Sequence, residues 1–264
     1  MGDTIGVISL KGGVGKTSTV VALGAALSSL GKKTLLIDGN FSSPNLGIHL
    51  NVIDSEKTLH HVLNRKINIK DAVHQTENFD LIPASVFTNV VVNPFELKDK
   101  LKYLKRKYDV IVIDSSPALN EETLAVMLAS DKILVVTTPD CPTLSATLKA
   151  VKLARERGTP ISGLVLNKVY NKDFELSLGE IESIADVPVM AVIPYDINAL
   201  KALSEFMPFP EHSPKSKGAE EYKRLAAALV GERYKPVKLK RFFRWINPKK
   251  QDINREIYYR SLFD

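Results

Sequence analysis

The hydrophobic and polar positions of this chain fall into two alternating patterns. Short runs dominated by aliphatic residues predict strands, and longer stretches with apolar residues at helical spacing predict helices. The predicted strands cover residues 4–9, 33–38, 79–82, 110–114, 132–137, 161–167 and 187–193. The predicted helices cover residues 18–30, 94–107, 121–128, 143–155, 177–185 and 218–230, with two short helices within 56–74. Strands and helices that alternate in this way indicate a single doubly wound, mostly parallel α/β sheet with helices on both faces.

The pattern also predicts which side chains are exposed and which are buried in the helical stretches at 56–74 and 94–107. His60 and His61 lie within the two short helices, among basic residues. Because adjacent side chains on a helix point in different directions, we expect a solvated face there and not a metal site. In the helix at 94–107 the apolar residues predicted to face inward are Phe95, Leu97, Leu101 and Leu104.

Composition limits the class of protein. The chain has 264 residues, enough for a large hydrophobic core, and its only cysteine is Cys141. One cysteine excludes a disulfide framework and a cysteine-ligated iron–sulfur cluster within one chain. No apolar run approaches the roughly 18 residues of a membrane span, and the N-terminus enters a strand instead of a signal peptide. We therefore expect a cytoplasmic protein that is not integral to the membrane.

The positive charge is concentrated near the C-terminus. The formal charge is +6, and residues 235–250 hold seven bases and no acid. Removing these seven from the 36 bases leaves 29 bases against 30 acids in the rest of the chain. A protein that binds DNA nonspecifically through its folded body needs basic residues spread over that body. Nucleic acid is therefore not an expected partner.

The connection between the first strand and the first helix carries the strongest chemical signal. It reads Lys11-Gly12-Gly13-Val14-Gly15-Lys16-Thr17, with Leu10 where the pattern G-x-x-x-x-G-K-[ST] has glycine. Glycines let backbone amides approach a polyphosphate, and the helix N-terminus adds partial positive charge. Lys16 would reach the β- and γ-phosphates, and the Thr17 hydroxyl would ligate Mg²⁺. The predicted nucleotide-binding residues of this phosphate loop are Gly12, Gly13, Val14, Gly15, Lys16, Thr17 and Ser18.

Two later strands end at a carboxylate. Asp38 closes the strand at 33–38, and Asp114 closes the strand at 110–114. Parallel strands place their functional residues at the carboxyl edge of the sheet, so both acids should face the phosphate loop. The second arrangement is that of a Walker B strand, with Asp114 holding Mg²⁺ through water. The predicted metal ligands are therefore Thr17, Asp38 and Asp114.

The loop K-G-G-x-G-K-T, with its additional Lys11, resembles the deviant phosphate loop of the MinD/ParA family of ATPases. The resemblance covers residues 4–230, and residues 58–84 look more like MinD than ParA, closest to the archaeal MinD-like ATPases. It implies a P-loop NTPase fold, ATP and Mg²⁺ as cofactors, and a homodimer that forms face to face around ATP. Lys11 would then reach the partner's phosphates and stabilise the transition state, like an arginine finger.

The resemblance also assigns roles to residues at other strand ends. Asn40 stands where the family usually has a second acid that positions the attacking water, so slow basal hydrolysis is expected. The catalytic set implied in this way is Lys11, Lys16, Asp38 and Asn40. The segments that resemble the family's adenine contacts contain Asn167, Pro194, Tyr195 and Asp196.

The segment at 237–247 has the pattern of an interfacial helix. On a helical wheel of about 100° per residue, aromatic and aliphatic residues share one face and bases share the other. Two alternatives for the same segment are docking of its apolar face on the protein body and an RNA- or DNA-binding tail. The predicted membrane-binding residues are Leu239, Phe242, Phe243, Trp245, Ile246, Lys238, Lys240, Arg241 and Arg244. The chain is thus divided into an ATPase domain at 1–232 and a basic amphipathic membrane-targeting tail at 233–264.

Together these features predict a Mg·ATP-dependent ATPase that dimerises, binds an anionic membrane surface reversibly and positions a cellular machine, with a protein cargo or activator as partner. One alternative is a ParA-like partitioning ATPase that binds nonspecific DNA. Another is a scaffold that binds ATP and hydrolyses it slowly or not at all, because an amide at position 40 cannot take a proton from water. A bacterial tyrosine kinase would need a larger tyrosine cluster than Tyr258 and Tyr259.

Overall fold

Eight strands form one sheet in the computed structural model, which describes residues 1–88, 90–234 and 248–263. They are β1 (Asp3–Ile8), β2 (Thr34–Asp38), β3 (His74–Gln75), β4 (Asp80–Ile82), β5 (Val110–Asp114), β6 (Lys132–Thr137), β7 (Ile161–Val169) and β8 (Val189–Pro194). Their order is β3-β4-β2-β5-β1-β6-β7-β8, and only the β3–β4 pair is antiparallel. The predicted doubly wound, mostly parallel fold is confirmed.

Helices pack on both faces of this sheet. Those in the described part of the chain are α1 (Lys16–Ser29), α2 (Leu46–His49), α3 (Leu59–Leu63), α4 (Leu97–Leu104), α5 (Glu121–Ala129), α6 (Cys141–Glu156), α7 (Leu178–Ala185), α8 (Ile197–Ser204), α9 (Phe209–His212), α10 (Lys217–Leu229) and α11 (Lys250–Ser261). Shorter 3-10 helices lie at Ile69–Ala72 and Pro94–Glu96. The sequence pattern did not predict α2, α8, α9 or α11.

The core lies in two layers because side chains alternate across each strand. In β5, Val110 and Val112 join the layer formed with α1 and α10. Ile111 and Ile113 join the opposite layer, which includes side chains of α4, α5 and α6. Every residue of β5 is buried, which explains why this strand is a continuous aliphatic run.

Two side-chain predictions were wrong. His60 is buried, not solvated: its ring meets Phe41 edge-on, and its Nδ1 accepts the Ser85 N–H at 3.0 Å. Phe95 is exposed, because the helix at this point is a 3-10 turn that ends before α4 begins. Leu97, Leu101 and Leu104 are buried as predicted, since they lie on the inner stripe of α4.

The last described helix, α11, packs against β8 and α10. The predicted membrane segment at 237–247, with all nine of its predicted membrane-binding residues, lies outside the described residues. Among the described residues, no helix combines the length and apolar character needed to cross a bilayer.

The sheet order places the predicted site. Strands β2 to β5 lie on one flank of β1 in the sheet, and strands β6 to β8 lie on the other flank, so the strand order reverses at β1. Ligands bind at such a switch point, beyond the carboxyl ends of the strands. The register pairs Asp38 directly with Asp114 across β2 and β5. The two predicted carboxylates therefore lie next to each other at the carboxyl edge of the sheet, beside the loop that follows β1.

Candidate nucleotide-binding site

The phosphate loop joins β1 to α1 through a left-handed backbone. Gly13 has φ 80° and Gly15 has φ 89°, a region that disfavours residues with a Cβ. At Gly15 the packing adds a second constraint, because a Cβ would lie 2.3 Å from Asn167 Nδ2. Helix α1 begins at the next residue, so its first backbone N–H groups have no partner within the helix. The loop and helix therefore present a cradle of N–H donors suited to phosphate oxygens.

Lys16 and Thr17 both contact Asp114 at the foot of this cradle. The Lys16 ammonium group is buried and donates to Asp114 Oδ1 and to the Ser115 carbonyl. The Thr17 hydroxyl donates to Asp114 Oδ2 at 2.6 Å. Lys16 and Thr17 lie 98 and 97 residues before Asp114 in the sequence, and the fold brings both into direct contact with its carboxylate.

Asp38 is fully buried beside this group. Its carboxylate accepts backbone N–H groups from Asn40, Asn45 and Leu46 at 3.0–3.1 Å. Burial, together with the neighbouring Asp114 charge, raises the pKa of Asp38 to about 7, although the Leu46 and Asn40 N–H groups and Lys16 oppose the rise. Two buried carboxylates at adjacent strand ends form a site that a divalent cation would neutralise.

Asn40 lies in the turn after β2, and its side chain is buried. The amide nitrogen donates to the Ser43 carbonyl, which fixes the orientation of the side chain. The amide oxygen is buried and has no hydrogen-bond partner within the described part of the chain. An unpaired buried acceptor of this kind can accept a hydrogen bond from a water or a ligand.

Lys11 lies at the mouth of the site. Its Nζ donates to Thr143 Oγ1 at 2.9 Å and is 3.4 Å from Asp140 Oδ1. Both charged side chains are well exposed, at 41% for Lys11 and 45% for Asp140. Asp140 also caps α6 by accepting the Thr143 N–H. Lys11 is therefore held loosely by its own chain at the start of α6.

The predicted adenine contacts lie in two segments, Asn167 near the end of β7 and residues 194–196 at and after the end of β8. Asn167 donates from Nδ2 to the Val14 carbonyl at 2.8 Å, so it braces the phosphate loop. Tyr195 stacks on Tyr170 with ring centroids 4.8 Å apart. The Asp196 carboxylate accepts the Asn198 N–H at 2.9 Å and thereby caps α8.

A cavity of about 490 Å³ connects these features. The predicted loop residues, Ser18, Asn40, Asn167 and residues 194–196 all line it, whereas the buried Asp38 and Asp114 do not. One end is polar and carries the phosphate loop, and the other is lined by side chains of α8 and its surroundings. Lining residues that sequence reasoning missed include Lys168, Ala199, Leu200, Met207, Phe209 and Tyr222.

Lys168 belongs to the strand-end segment that resembles an adenine contact, but no role of its own was predicted for it from the sequence. It follows Asn167 near the end of β7, and its Nζ donates to the Gly13 carbonyl at 2.7 Å. The lining residues of α8, α9 and the turn between them had no sequence signal, because these helices were not predicted. Tyr222 lies on the predicted helix α10, but only the fold shows that this helix borders the cavity.

Residues 2–157 match the family described as AAA domain. An uncharacterised ATP-binding protein of Methanocaldococcus jannaschii is 32% identical over 237 residues, which cover 89% of this chain and 90% of that protein. The sporulation initiation inhibitor protein Soj of Bacillus subtilis is 31% identical over 254 residues, which cover 87% of this chain and 99% of that protein.

The solved structures agree with these relatives. The septum site-determining protein MinD of Pyrococcus horikoshii, complexed with Mg-ADP, has a TM-score of 0.82 and 33% identity. The match covers 87% of this chain and 96% of that one. The family match extends over more than half of the chain, and it includes the phosphate loop and both strand-end carboxylates. The chain therefore belongs to the MinD/ParA family of P-loop ATPases and is close to its archaeal MinD-like members.

Proposed function

We propose that this ATPase is a Mg·ATP-dependent switch that dimerises with ATP and thereby binds an anionic membrane surface reversibly to position a cellular machine. The observation that supports this most directly is the contact of Lys16 and Thr17 with Asp114, at the foot of a cavity whose mouth carries a second, partly exposed lysine, Lys11. The same cavity has a polar end suited to phosphates and an apolar end suited to a purine ring.

The residues present fit Mg²⁺. Mg²⁺ prefers oxygen ligands and commonly uses one or two carboxylates together with waters and substrate phosphates. Thr17 Oγ1 and the Asp114 carboxylate supply such oxygens, and Asp38 adds a second buried acid. When bound, Mg²⁺ would neutralise charge on the phosphates and on these acids. We therefore assign Thr17, Asp38 and Asp114 to its site.

Hydrolysis requires a positioned water. We assign this role to the unpaired Asn40 Oδ1, which is buried near the phosphate loop and oriented by the Ser43 contact. An amide orients water through hydrogen bonds but does not remove its proton, so basal turnover should be slow. Slow hydrolysis keeps the protein in its ATP-bound form for a long time. A long-lived ATP-bound form is what a switch needs if its dimerisation and membrane binding depend on ATP.

Dimerisation in this proposal depends on Lys11. Among the described residues, the Lys11 ammonium group contacts one exposed carboxylate and one hydroxyl, so it is available to the phosphates of a partner. A γ-phosphate would give the partner's lysine a ligand that a diphosphate lacks. ATP, and not ADP, should therefore favour the dimer.

Membrane binding is assigned to the basic amphipathic segment at 237–247. Its support is the charge distribution, since seven bases fall in residues 235–250 and the rest of the chain is close to neutral. One such segment binds weakly, but two on one dimer act together at high effective concentration. Membrane affinity should then follow the nucleotide state.

Sedimentation with anionic vesicles tests this proposal. The full chain should pellet much more with ATP than with ADP, and a variant with Phe242→Ser, Phe243→Ser and Trp245→Ser should remain in solution with both. Substitution is preferable to truncation before this segment, because truncation would also remove α11 from the sheet. Equal pelleting with both nucleotides would refute the coupling, and ATP-dependent binding to duplex DNA without vesicle binding would favour the partitioning alternative.

A further inference from the structure

Helix α11 packs on the body of the protein through its polar side. Arg255 is only 7% exposed, and it donates to the Met190 carbonyl at 2.7 Å and to Glu221 at 2.8 Å. Its other terminal nitrogen donates to Asp252 at 2.6 Å. Asn254 adds a hydrogen bond to the Val189 carbonyl of β8 at 2.8 Å. Side chains that normally face water therefore dock this helix on the edge of the sheet.

The opposite side of α11 carries its aliphatic residues. Ile253 and Ile257 are four positions apart, so they form one stripe, and they are 46% and 62% exposed. A surface helix of a globular protein normally turns such a stripe toward the core. Here the contacts of the buried Arg255 and of the half-buried Asn254 fix the helix in the reverse orientation. The exposed isoleucines are thus a consequence of specific docking contacts.

Bases flank this stripe. Lys249, Lys250 and Arg260 lie within the same half of the helix, at the two ends of the stripe. Lys250 pairs with Glu182, and the one acid on this side, Glu256, pairs with Arg233 and Arg260. The outward face therefore combines a narrow aliphatic stripe with a positive border, the composition of a helix that lies in a membrane interface.

We infer that the outward face of α11, defined by Ile253 and Ile257 with Lys249 and Arg260, is a second contact surface for anionic lipid. This inference rests on the proposed membrane function and extends it. Charge complementarity favours a lipid surface over an apolar protein groove, since bases border the stripe on both ends. Chain continuity agrees, because α11 follows the basic segment at 237–247 after two residues. The docked helix would hold the lipid-binding surface in a fixed orientation on each protomer.

The first test measures vesicle affinity of the full chain with ATP, using equal parts phosphatidylglycerol and phosphatidylcholine. The double variant Ile253→Gln, Ile257→Gln should bind about tenfold more weakly, because two partly exposed aliphatic side chains no longer leave water. Glutamine keeps helix propensity and length, so α11 should stay docked. The matched control, Ile53→Gln with Val91→Gln, alters two exposed aliphatic residues away from α11 and should bind as the wild type does.

The outcomes separate the two proposals. If the wild-type chain does not bind these vesicles, the proposed membrane function fails. If it binds and the Ile253, Ile257 variant binds equally well, only the role of α11 is refuted. Binding by the wild type to pure phosphatidylcholine at the same affinity would refute the role of the bases.

A second measurement does not depend on the folding of the double variant. Cys141 is the only cysteine, so an environment-sensitive dye can be placed at position 257 by Ile257→Cys in a Cys141→Ser background. The dye emission should shift to the blue on adding anionic vesicles, while the same dye placed by Ile53→Cys should not respond. A blue shift that appears with rising protein concentration and no vesicles would identify a second copy as the occupant and overturn the lipid assignment.

Discussion

The contact of Lys11 with the start of α6 gives a quantitative prediction about dimerisation. In the single chain its ammonium group is 3.4 Å from Asp140 Oδ1, and the two side chains are 41% and 45% exposed. Exposed ion pairs of this kind contribute about 0.2–1 kcal/mol. Each protomer of the symmetric dimer contributes one Lys11, so if both lysines must leave Asp140 to reach a partner's phosphates, the two contacts together oppose the ATP dimer by about 0.4–2 kcal/mol.

Asp140→Asn removes the charge and keeps the helix cap, because asparagine caps helices as well as aspartate does. The variant should therefore form the ATP dimer with a dissociation constant about 2- to 30-fold lower than the wild type, because two such contacts are released for each dimer. Lys11→Ala should bind nucleotide normally but fail to dimerise. Lys16→Ala, which removes the buried lysine at the foot of the site, should fail to bind nucleotide at all.

Sedimentation velocity across a concentration series with a slowly hydrolysed ATP analogue gives the dimer affinity of each variant. A fluorescent nucleotide titration gives the binding affinity separately. Normal dimerisation by Lys11→Ala would refute its role across the interface. A dimer weakened more than tenfold by Asp140→Asn would show that Asp140 itself contributes to the interface, contrary to its assignment as a restraint.

Three further predictions follow from buried polar groups. Asn40→Ala should reduce ATP turnover about ten- to a hundredfold without weakening ATP binding, whereas Asn40→Asp should raise ATP turnover. Unchanged phosphate release by Asn40→Ala would contradict the water-positioning role. Burial, together with the His61 charge, lowers the pKa of His60, so the unfolded chain binds the proton more readily than the folded chain. The free energy of unfolding should therefore fall as the pH drops below about 6.5, by at most about 1.4 kcal/mol per pH unit. Urea unfolding at about pH 7.5 and about pH 5.5 should show a smaller loss for His60→Gln than for the wild type, and equal losses would contradict this account. Arg255→Leu should destabilise the protein by about 3 kcal/mol in urea, while the exposed Arg260→Leu should cost under about 0.5 kcal/mol; matching values would show that α11 docking does not depend on the buried ion pairs.

Much of the fold followed from local patterns. The aliphatic runs predicted every strand of the parallel sheet, because a strand buried on both faces must be apolar at nearly every position. Only the short antiparallel strand β3, two residues long, carried no such signal. The order of strand, glycine-rich turn and helix also located the phosphate loop. Asp38 and Asp114 were placed at one edge, because parallel strands share the direction in which they end.

The sequence alone could not show which long-range partner each polar side chain would find. His60 was expected in solvent, yet Phe41 and the Ser85 backbone enclose it. Asn167 was expected at the adenine, yet its hydrogen bond also braces Val14, 153 residues earlier in the chain. Such partners come from other strands and loops, and periodicity within one segment contains no information about them.

Sequence by itself determined the parts of this protein whose signal is local: the alternating elements, the phosphate loop, the acids at strand ends and the basic segment near the C-terminus. Tertiary structure decided the restraint of Lys11 by Asp140, the unpaired oxygen of Asn40 and the orientation of α11. For α11 the reason is energetic. A hydrophobic pattern predicts that isoleucines turn inward, but leaving Arg255 without its carboxylate partners would cost more than exposing two aliphatic side chains.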